Sequence, residues 1–382
     1  MMKTFIQRIN PSSLRREFEK IGVDEVGAGI MEKKSHDYLF HLYDLPLSAL
    51  HILKQEAISV GADLATPKEA ILCQSKSYEA ILLGNHSQML RLAQKCLSQP
   101  FGLKAVAQTL KEHIQAKSEG KPQIMAILNI TPDSFYEGSR FGVEEALKEI
   151  ERYIELGVEI VDIGGASSKP GSELISSEEE IGRLKGLFDE VAERGLGEKI
   201  KLSIDTYNYK TAEYALKSGF KILNDILGFS DERMFEVCAK YQAEAVLMHS
   251  RGTPKDMQTL THYPSLFAEL DEFFGSKIHK AREFGISSLI LDIGFGFAKE
   301  LEHNLSLIRD LRHFRHFNLP LLVGASRKNT IGLLTQKPIN ERLSGTLAMH
   351  QVALENGADI LRVHDVIEHL DMIAITQSLK EL

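Results

Sequence analysis

With 382 residues, 43% of them hydrophobic and 26% charged, the chain has the makeup of a globular protein and is too long for one small domain. A net charge of -8 argues against a protein that coats nucleic acid, and no apolar run approaches the ~18 residues that span a bilayer. The start lacks the apolar core of a signal peptide, and Cys73, Cys96 and Cys238 form no CxxC, so the reading is a cytoplasmic protein with reduced thiols, no membrane association and no nucleic-acid partner.

Residues 1–120 read as a small α/β unit. The pattern gives a short helix over 13–21, a strand over 38–43, a helix over 46–60 and a strand over 80–83. Asn85 is placed to cap a helix carrying Met89, Leu90, Leu92, Ala93 and Leu97, and a last helix over 103–117 runs into a polar break at 118–122. His36, His41, His51 and Asp63 are scattered, so a packing or interaction domain is the plain reading.

From residue 123 short apolar runs alternate with helical patterns, the signature of βα units. The runs cover 124–128, 160–163, 201–204, 222–223, 245–248, 289–291, 321–323 and 360–363. Helices are expected over 143–156, 177–193, 209–218, 231–240, 264–284, 301–313, 340–356 and 366–379. Eight strands in one series point to a closed (β/α)8 TIM barrel over 121–382, in an α/β protein whose N-terminal domain ends at residue 120; such a barrel takes ~250 residues. Ser177 with Glu180 reads as a capping box, and Gly157, Gly195, Gly219, Gly285 and Gly357 sit just past helices, where a left-handed residue is wanted. No GxGxxG follows the first strand, which removes the usual dinucleotide-binding alternative.

A barrel enzyme keeps its site at the C-terminal strand ends. Those ends carry Asn129 with Asp133, Asp162 with the loop 164–171, Asp205 with Thr206, and Asn224 with Asp225. The next four carry Met248 with His249 and Arg251, Asp292 with a Gly-Phe-Gly-Phe run, Ser326-Arg327-Lys328, and Arg362 with His364 and Asp365. Singly each is weak. An Asp after a strand more often caps the next helix, which is the plain reading of Asp162 and Asp225, and His249 alone reads as a satisfied histidine. As a set they put polar groups at eight strand ends on one face. Asp205, Asn224 and Asp292 offer acceptors and an amide, and Lys328 offers donors, a mix that suits a flat heterocycle with an amidine-like edge and a carbonyl. Arg362, His364 and Asn129 suit a phosphate or diphosphate, directly or through a divalent ion, and the helix start after Lys328 offers backbone N–H groups to an anion. The barrel region has no Ser-His-Asp order, HExxH or P-loop.

Six segments of this set resemble the dihydropteroate synthases of folate biosynthesis. They are residues 127–135 (Ile-Leu-Asn-Ile-Thr-Pro-Asp-Ser-Phe), 162–165, 203–206, 224–226, 326–328 and 362–365, in the family's order. The resemblance covers residues 123–382 and not 1–120. It implies a transferase that joins p-aminobenzoate to 6-hydroxymethyl-7,8-dihydropterin diphosphate, releasing 7,8-dihydropteroate and diphosphate, with Mg²⁺ as cofactor. It also implies a homodimer and a sulfonamide target. By the same resemblance Asp205, Asn224, Asp292 and Lys328 hold the pterin, with Met248 beside the ring. Asn129, Arg362 and His364 hold the diphosphate, and Asn129 meets the metal. Ser168, Lys169, Pro170, Phe297 and Asn329 surround the aminobenzoate, and Asp205, Lys328 and Asn129 carry the catalytic roles. A carboxylate near the ring would stabilise a cation on the exocyclic methylene, so a dissociative, SN1-like substitution needs no protein nucleophile.

The chain departs from the family pattern in places. The second loop has Ala166, Ser168 and Lys169 where Glu, Thr and Arg are usual, and Lys169 keeps the charge without the guanidinium fork. Ile293 replaces a proline, Asn329 a serine and Ser250 a methionine. Two rival readings remain: a methyltetrahydrofolate-dependent methyltransferase on the same barrel, which has no use for a diphosphate clamp, and a non-catalytic pterin-binding protein.

Overall fold

The computed structural model describes residues 6–7, 9–116, 120–130, 140–166 and 171–381. The described residues divide into two compact units, one drawn from residues 1–117 and 375–382 and the other from 118–374. In the first, strands β1 (Asp37–Pro46), β2 (Asp63–Ala65) and β3 (Ser77–Asn85) form an antiparallel sheet in the order β1-β3-β2. Period-two alternation buries Ala80 and Leu82 of β3 and exposes Ile81 and Leu83. Helices Leu47–Ser59, His86–Cys96 and Leu103–Ile114 close one apolar cluster with Leu82 through Leu53, Leu92 and Leu110. Asn85 caps as expected: its Oδ1 accepts from the Gln88 N–H at 3.0 Å, and its own N–H donates to Gln88 Oε1 at 2.7 Å. The pattern does not announce β2, only three residues long, or the helix Glu25–Glu32, which contains two poor helix formers, Gly27 and Gly29.

The second unit is a closed parallel barrel of β4 (Gln123–Asn129), β5 (Ile160–Gly164), β6 (Lys201–Asp205), β7 (Ile222–Asp225), β8 (Glu244–Met248), β9 (Leu289–Asp292), β10 (Leu321–Val323) and β11 (Ile360–Val363). These strands fall on the expected runs, with ends shifted by at most two residues. The glycines expected to end helices all have positive φ. The predicted capping box is wrong. Ser176 is the N-cap, accepting from the Glu179 N–H at 3.1 Å, while Ser177 is the first helical residue. Two adjacent serines followed by three glutamates allow the motif to be read in a shifted register. Glu180 instead turns inward and accepts from Thr206 Oγ1 at 2.7 Å and Asn208 Nδ2 at 2.9 Å. The helix expected over 301–313 is Leu301–Arg309 followed by a 3-10 turn, Leu311–Phe317. A short helix, Asn329–Thr335, precedes one that starts at Leu343 rather than near 340.

Met125, Ile160, Ile222, Val246, Ile290, Leu322 and Ile360 meet in one buried layer inside the barrel. Two residues further along their strands stand Asp162, Asn224, Met248, Asp292, Gly324 and Arg362. Side chains on a strand repeat every second residue, so each of these shares the inward face one layer higher.

The seam between β10, β11 and β4 is stapled by Asp359. Its Oδ2 accepts from the Leu321 N–H at 2.8 Å and pairs with Arg315, and its Oδ1 accepts from the Gly120 N–H at 3.2 Å. The side chains of Arg315 and Asp359 are 9% and 13% exposed. Asp359→Ala should therefore lower stability by about 3 kcal/mol, because it removes the carboxylate from a buried ion pair and the acceptor from the Leu321 and Gly120 N–H groups. Urea unfolding of the two proteins is the check, and the Asp359→Asn variant should recover part of the loss by keeping an acceptor.

Candidate active site

The strand ends open into one cavity of ≈ 920 Å³, lined by Asn129, Asn224, Met248, Asp292, Phe297, Lys328, Asn329, Arg362 and His364 among others. These residues, expected from separate strand ends, therefore share one space. Asp205 does not line it; its carboxylate lies against Arg362. Ser168, Lys169 and Pro170, and Asp133 of the first loop, lie outside the described residues.

One side of the cavity is rich in acceptors. Asn224, 3% exposed, donates from Nδ2 to Asp162 Oδ2 at 3.1 Å, and its Oδ1 is buried with no hydrogen-bond partner among the described residues. Asp292 Oδ1 accepts from the Gly294 N–H at 2.7 Å. Burial raises the Asp292 pKa, opposed by that hydrogen bond and by Lys328. Lys328 donates to the Phe295 carbonyl at 2.7 Å and stands 4.0 Å from the centre of the Phe297 ring. Burial pulls its pKa down to about 7, although Asp292 acts the other way. Met248, Ile226, Met257 and Phe297 form an apolar cluster beside these groups.

The turn carrying Asp292 needs its glycines. Gly294 has φ +63°, and a Cβ there would lie 1.8 Å from the His249 carbonyl oxygen; at Gly296, φ +82°, it would lie 2.9 Å from Lys328 Cδ. Ile293 is fully buried in the outer core.

The other side is cationic. Arg362 donates from Nε to Asp162 Oδ2 and from Nη2 to Asp205 Oδ2, both at 2.6 Å. Burial works against its charge, but the two carboxylates more than offset it and raise its pKa. Burial pushes the Asp205 carboxyl up, with Arg362 opposing and Asp162 adding to the shift. Ser326 Oγ accepts the backbone N–H of His364 at 3.2 Å and lies 2.9 Å from its Nδ1. The hydroxyl therefore holds the ring in place through Nδ1 and leaves Nε2 as the other ring nitrogen. Desolvation of the ring, with Arg362 and Arg327 nearby, lowers the His364 pKa, although the side chain keeps some exposure at the cavity. Arg327 adopts φ +55° and pairs with Asp365 through Nε at 2.9 Å, leaving the next residue, Lys328, among the cavity-lining groups.

The helix-cap reading of Asp162 is wrong. It accepts from both Asn224 and Arg362, and the available signal was its place two residues after Ile160 on the inward face. Asp225 is structural, accepting the Leu227 and Phe229 N–H groups at 2.8 Å, though as a turn rather than a helix cap. His249 is satisfied beside Lys299, whose Nζ lies 3.0 Å from its Nδ1. Sequence reasoning missed Lys299, which also donates to the carbonyls of His249, Gly294 and Phe297 at 3.3, 3.1 and 3.0 Å. Burial takes its pKa down to about 7. It also missed a relay behind Lys328. The Ala325 N–H donates to His350 Nε2 at 3.1 Å, His350 Nδ1 to His369 Nε2 at 2.8 Å, and His369 Nδ1 to the Asp365 carbonyl at 2.5 Å. No local motif marks either device. Two of the three thiols are buried and kept protonated: burial pushes Cys96 to about 11 and Cys238 to about 12.

Residues 125–364 match the model of the family described as pterin binding enzyme. The chain is 50% identical over 376 residues to the bifunctional dihydropteroate synthase/dihydropteroate reductase of Helicobacter pylori, covering 98% of this chain and 99% of that one. It is 41% identical over 266 residues to the dihydropteroate synthase of Escherichia coli, covering 68% and 93%. The crystal structure of Yersinia pestis dihydropteroate synthase with a sulfonamide drug matches with a TM-score of 0.64 at 36% identity, over 69% of this chain and 95% of that one. Among the described residues no helix is long and apolar enough to cross a membrane. The chain belongs to the dihydropteroate synthases, transferases within the pterin-binding enzyme family.

Proposed function

We propose that the barrel holds a dihydropterin between Asn224, Asp292 and Lys328 and directs its exocyclic CH2–O bond towards Arg362 and His364, where diphosphate leaves and p-aminobenzoate adds. The observation that carries this reading is the unpartnered, buried Asn224 Oδ1, set with Asp292 on the same cavity as Lys328 and Arg362. Two acceptors beside a cation complement the N–H edge and carbonyl of a pterin.

The C–O bond breaks with its electron pair going to diphosphate, and the dihydropterin delocalises the positive charge left on the methylene. The amine nitrogen of p-aminobenzoate then forms the C–N bond and loses a proton to solvent. Arg362 and His364 stabilise the departing charge, while Asp162 and Asp205 supply a negative field for the cation. Met248 and Phe297 exclude water beside the ring. Asn129 is exposed at the end of β4, lines the cavity and offers an amide oxygen, a donor that suits a hard cation bound mainly through phosphate. Asn129 and the substrate's phosphates would hold Mg²⁺, which would neutralise leaving-group charge. Asn329 and Phe297, with Ser168, Lys169 and Pro170, would meet the aminobenzoate.

The same reading takes the protein to be a cytoplasmic homodimer. An apolar groove of ≈ 380 Å³ lined by Leu305, Ile331, Leu334, Met349 and Val352 supports association of barrels. A second activity, dihydropteroate reductase, is favoured by one observation: the alignment with the Helicobacter pylori protein extends through the residues that precede the barrel. It would pass hydride from a reduced nicotinamide or flavin to dihydropteroate, with a proton from water completing tetrahydropteroate. Incubating the protein with dihydropteroate and either donor should yield that product by mass; none with either donor removes this second activity and leaves the synthase reading intact.

Incubation with pterin diphosphate, p-aminobenzoate and Mg²⁺ should give dihydropteroate detectable by mass, and no product would refute the synthase reading. Positional isotope exchange of the bridging oxygen without p-aminobenzoate should occur if cleavage is dissociative; strict dependence on the amine would contradict it. Lys328→Ala should lower kcat/KM for both substrates by about 100-fold. His364→Ala should mainly weaken product diphosphate binding, by about 10-fold, and equal binding would place the clamp elsewhere. Because burial holds the Lys328 pKa near 7, the ammonium is present below that value and lost above it. The kcat/KM for the pterin substrate should therefore fall as pH rises through about 7, and Lys328→Arg should lack that alkaline limb.

A further inference from the structure

We propose that Asp271, His313 and His316 form a divalent-metal site of the zinc type that fastens the helix Leu266–Glu283 to the turn Leu311–Phe317. None of the three lines the active-site cavity, and the proposal is independent of the reaction assigned there. One potential ligand atom from each residue lies within 4.8 Å of the others. His313 Nε2 is 3.0 Å from Asp271 Oδ2, and His316 Nε2 is 3.8 Å from Asp271 Oδ1.

The hydrogen-bond roles point to a cation. His316 Nδ1 lies 2.7 Å from the His313 carbonyl oxygen. A carbonyl only accepts, so Nδ1 carries a proton and Nε2 is the ring nitrogen turned towards Asp271. It lies 3.8 Å from Asp271 Oδ1, a buried carboxylate oxygen with no hydrogen-bond partner among the described residues. A cation held there would satisfy that oxygen, and His313 converges on the same carboxylate. Anchoring the far nitrogen on a backbone carbonyl is how proteins orient a metal-bound histidine. The His313 ring is further fixed edge-on against Phe267 and Phe314, at centroid distances of 5.3 and 5.0 Å.

Two imidazole nitrogens and one carboxylate oxygen suit zinc rather than Mg²⁺ or Ca²⁺, which take oxygen ligands. Side-chain exposures of 35% for Asp271, 29% for His313 and 11% for His316 leave an entry path and room for a water as fourth ligand.

The test is titration of the chelator-treated full chain with zinc sulfate against a chromophoric chelator, with the melting temperature followed in parallel. The wild type should take up one zinc more than either His316→Gln or Asp271→Asn, or bind it at least about 10-fold more tightly, and its melting temperature should rise on zinc addition where theirs does not. Dihydropteroate formation with Mg²⁺ should be the same in all three proteins. Saturable zinc uptake absent from the wild type, or equal in number and affinity in all three, would overturn the proposal and leave a histidine–carboxylate ion pair.

Discussion

One buried guanidinium organises the barrel mouth. Arg362 stands on β11, the strand that closes the barrel onto β4, and reaches Asp162 on β5 and Asp205 on β6. Such a buried pair adds little net stability, since desolvation offsets most of the attraction. Its worth is geometric. Asp162 is held by Arg362 and in turn orients the Asn224 amide, so the groups for the heterocycle and for the leaving phosphates are set by a single carboxylate. Arg362 retains further N–H donors for an anionic ligand because a guanidinium carries five.

The two-residue repeat of the strands turns that interaction into a site. The apolar layer from Met125 to Ile360 fills the barrel interior, and the next inward positions are polar because they meet ligand rather than one another. The loops then need separate support. Lys299 closes the turn after β9 on its own Gly294 and Phe297 carbonyls and ties it to the His249 carbonyl after β8, and the His350–His369 relay ties the turn after β10 to the one after β11. Both devices bury titratable groups whose neutral or shared protons act as fixed props.

Most of the barrel was legible because each strand is buried on both faces and reads as a continuous apolar run bounded by polar residues and glycine. The cavity residues were legible as a set, since strand ends on one face converge whatever the intervening helices do. Asp162 was misread because a carboxylate after a strand is equally consistent with a helix cap, and only the count from Ile160 separates the two. Asp205 was expected against the heterocycle and is bonded to Arg362, an ion pair between distant strands that spacing does not encode. Lys299 and His350 depend on contacts fifty and twenty-five residues away in the chain, which no local pattern carries. The helix Asn329–Thr335 is only seven residues long, too short to show a helical period.

The measurement that bears most directly on the role of Arg362 is the steady-state kinetics of Asp162→Asn with pterin diphosphate and p-aminobenzoate. The substitution keeps the size of the side chain and one acceptor for Asn224 but removes the charge that aims the guanidinium. If Arg362 organises the mouth as described, kcat/KM for the pterin diphosphate falls by at least about 10-fold in a barrel that remains folded. A folded Asp162→Asn enzyme with unchanged kcat/KM would contradict the account.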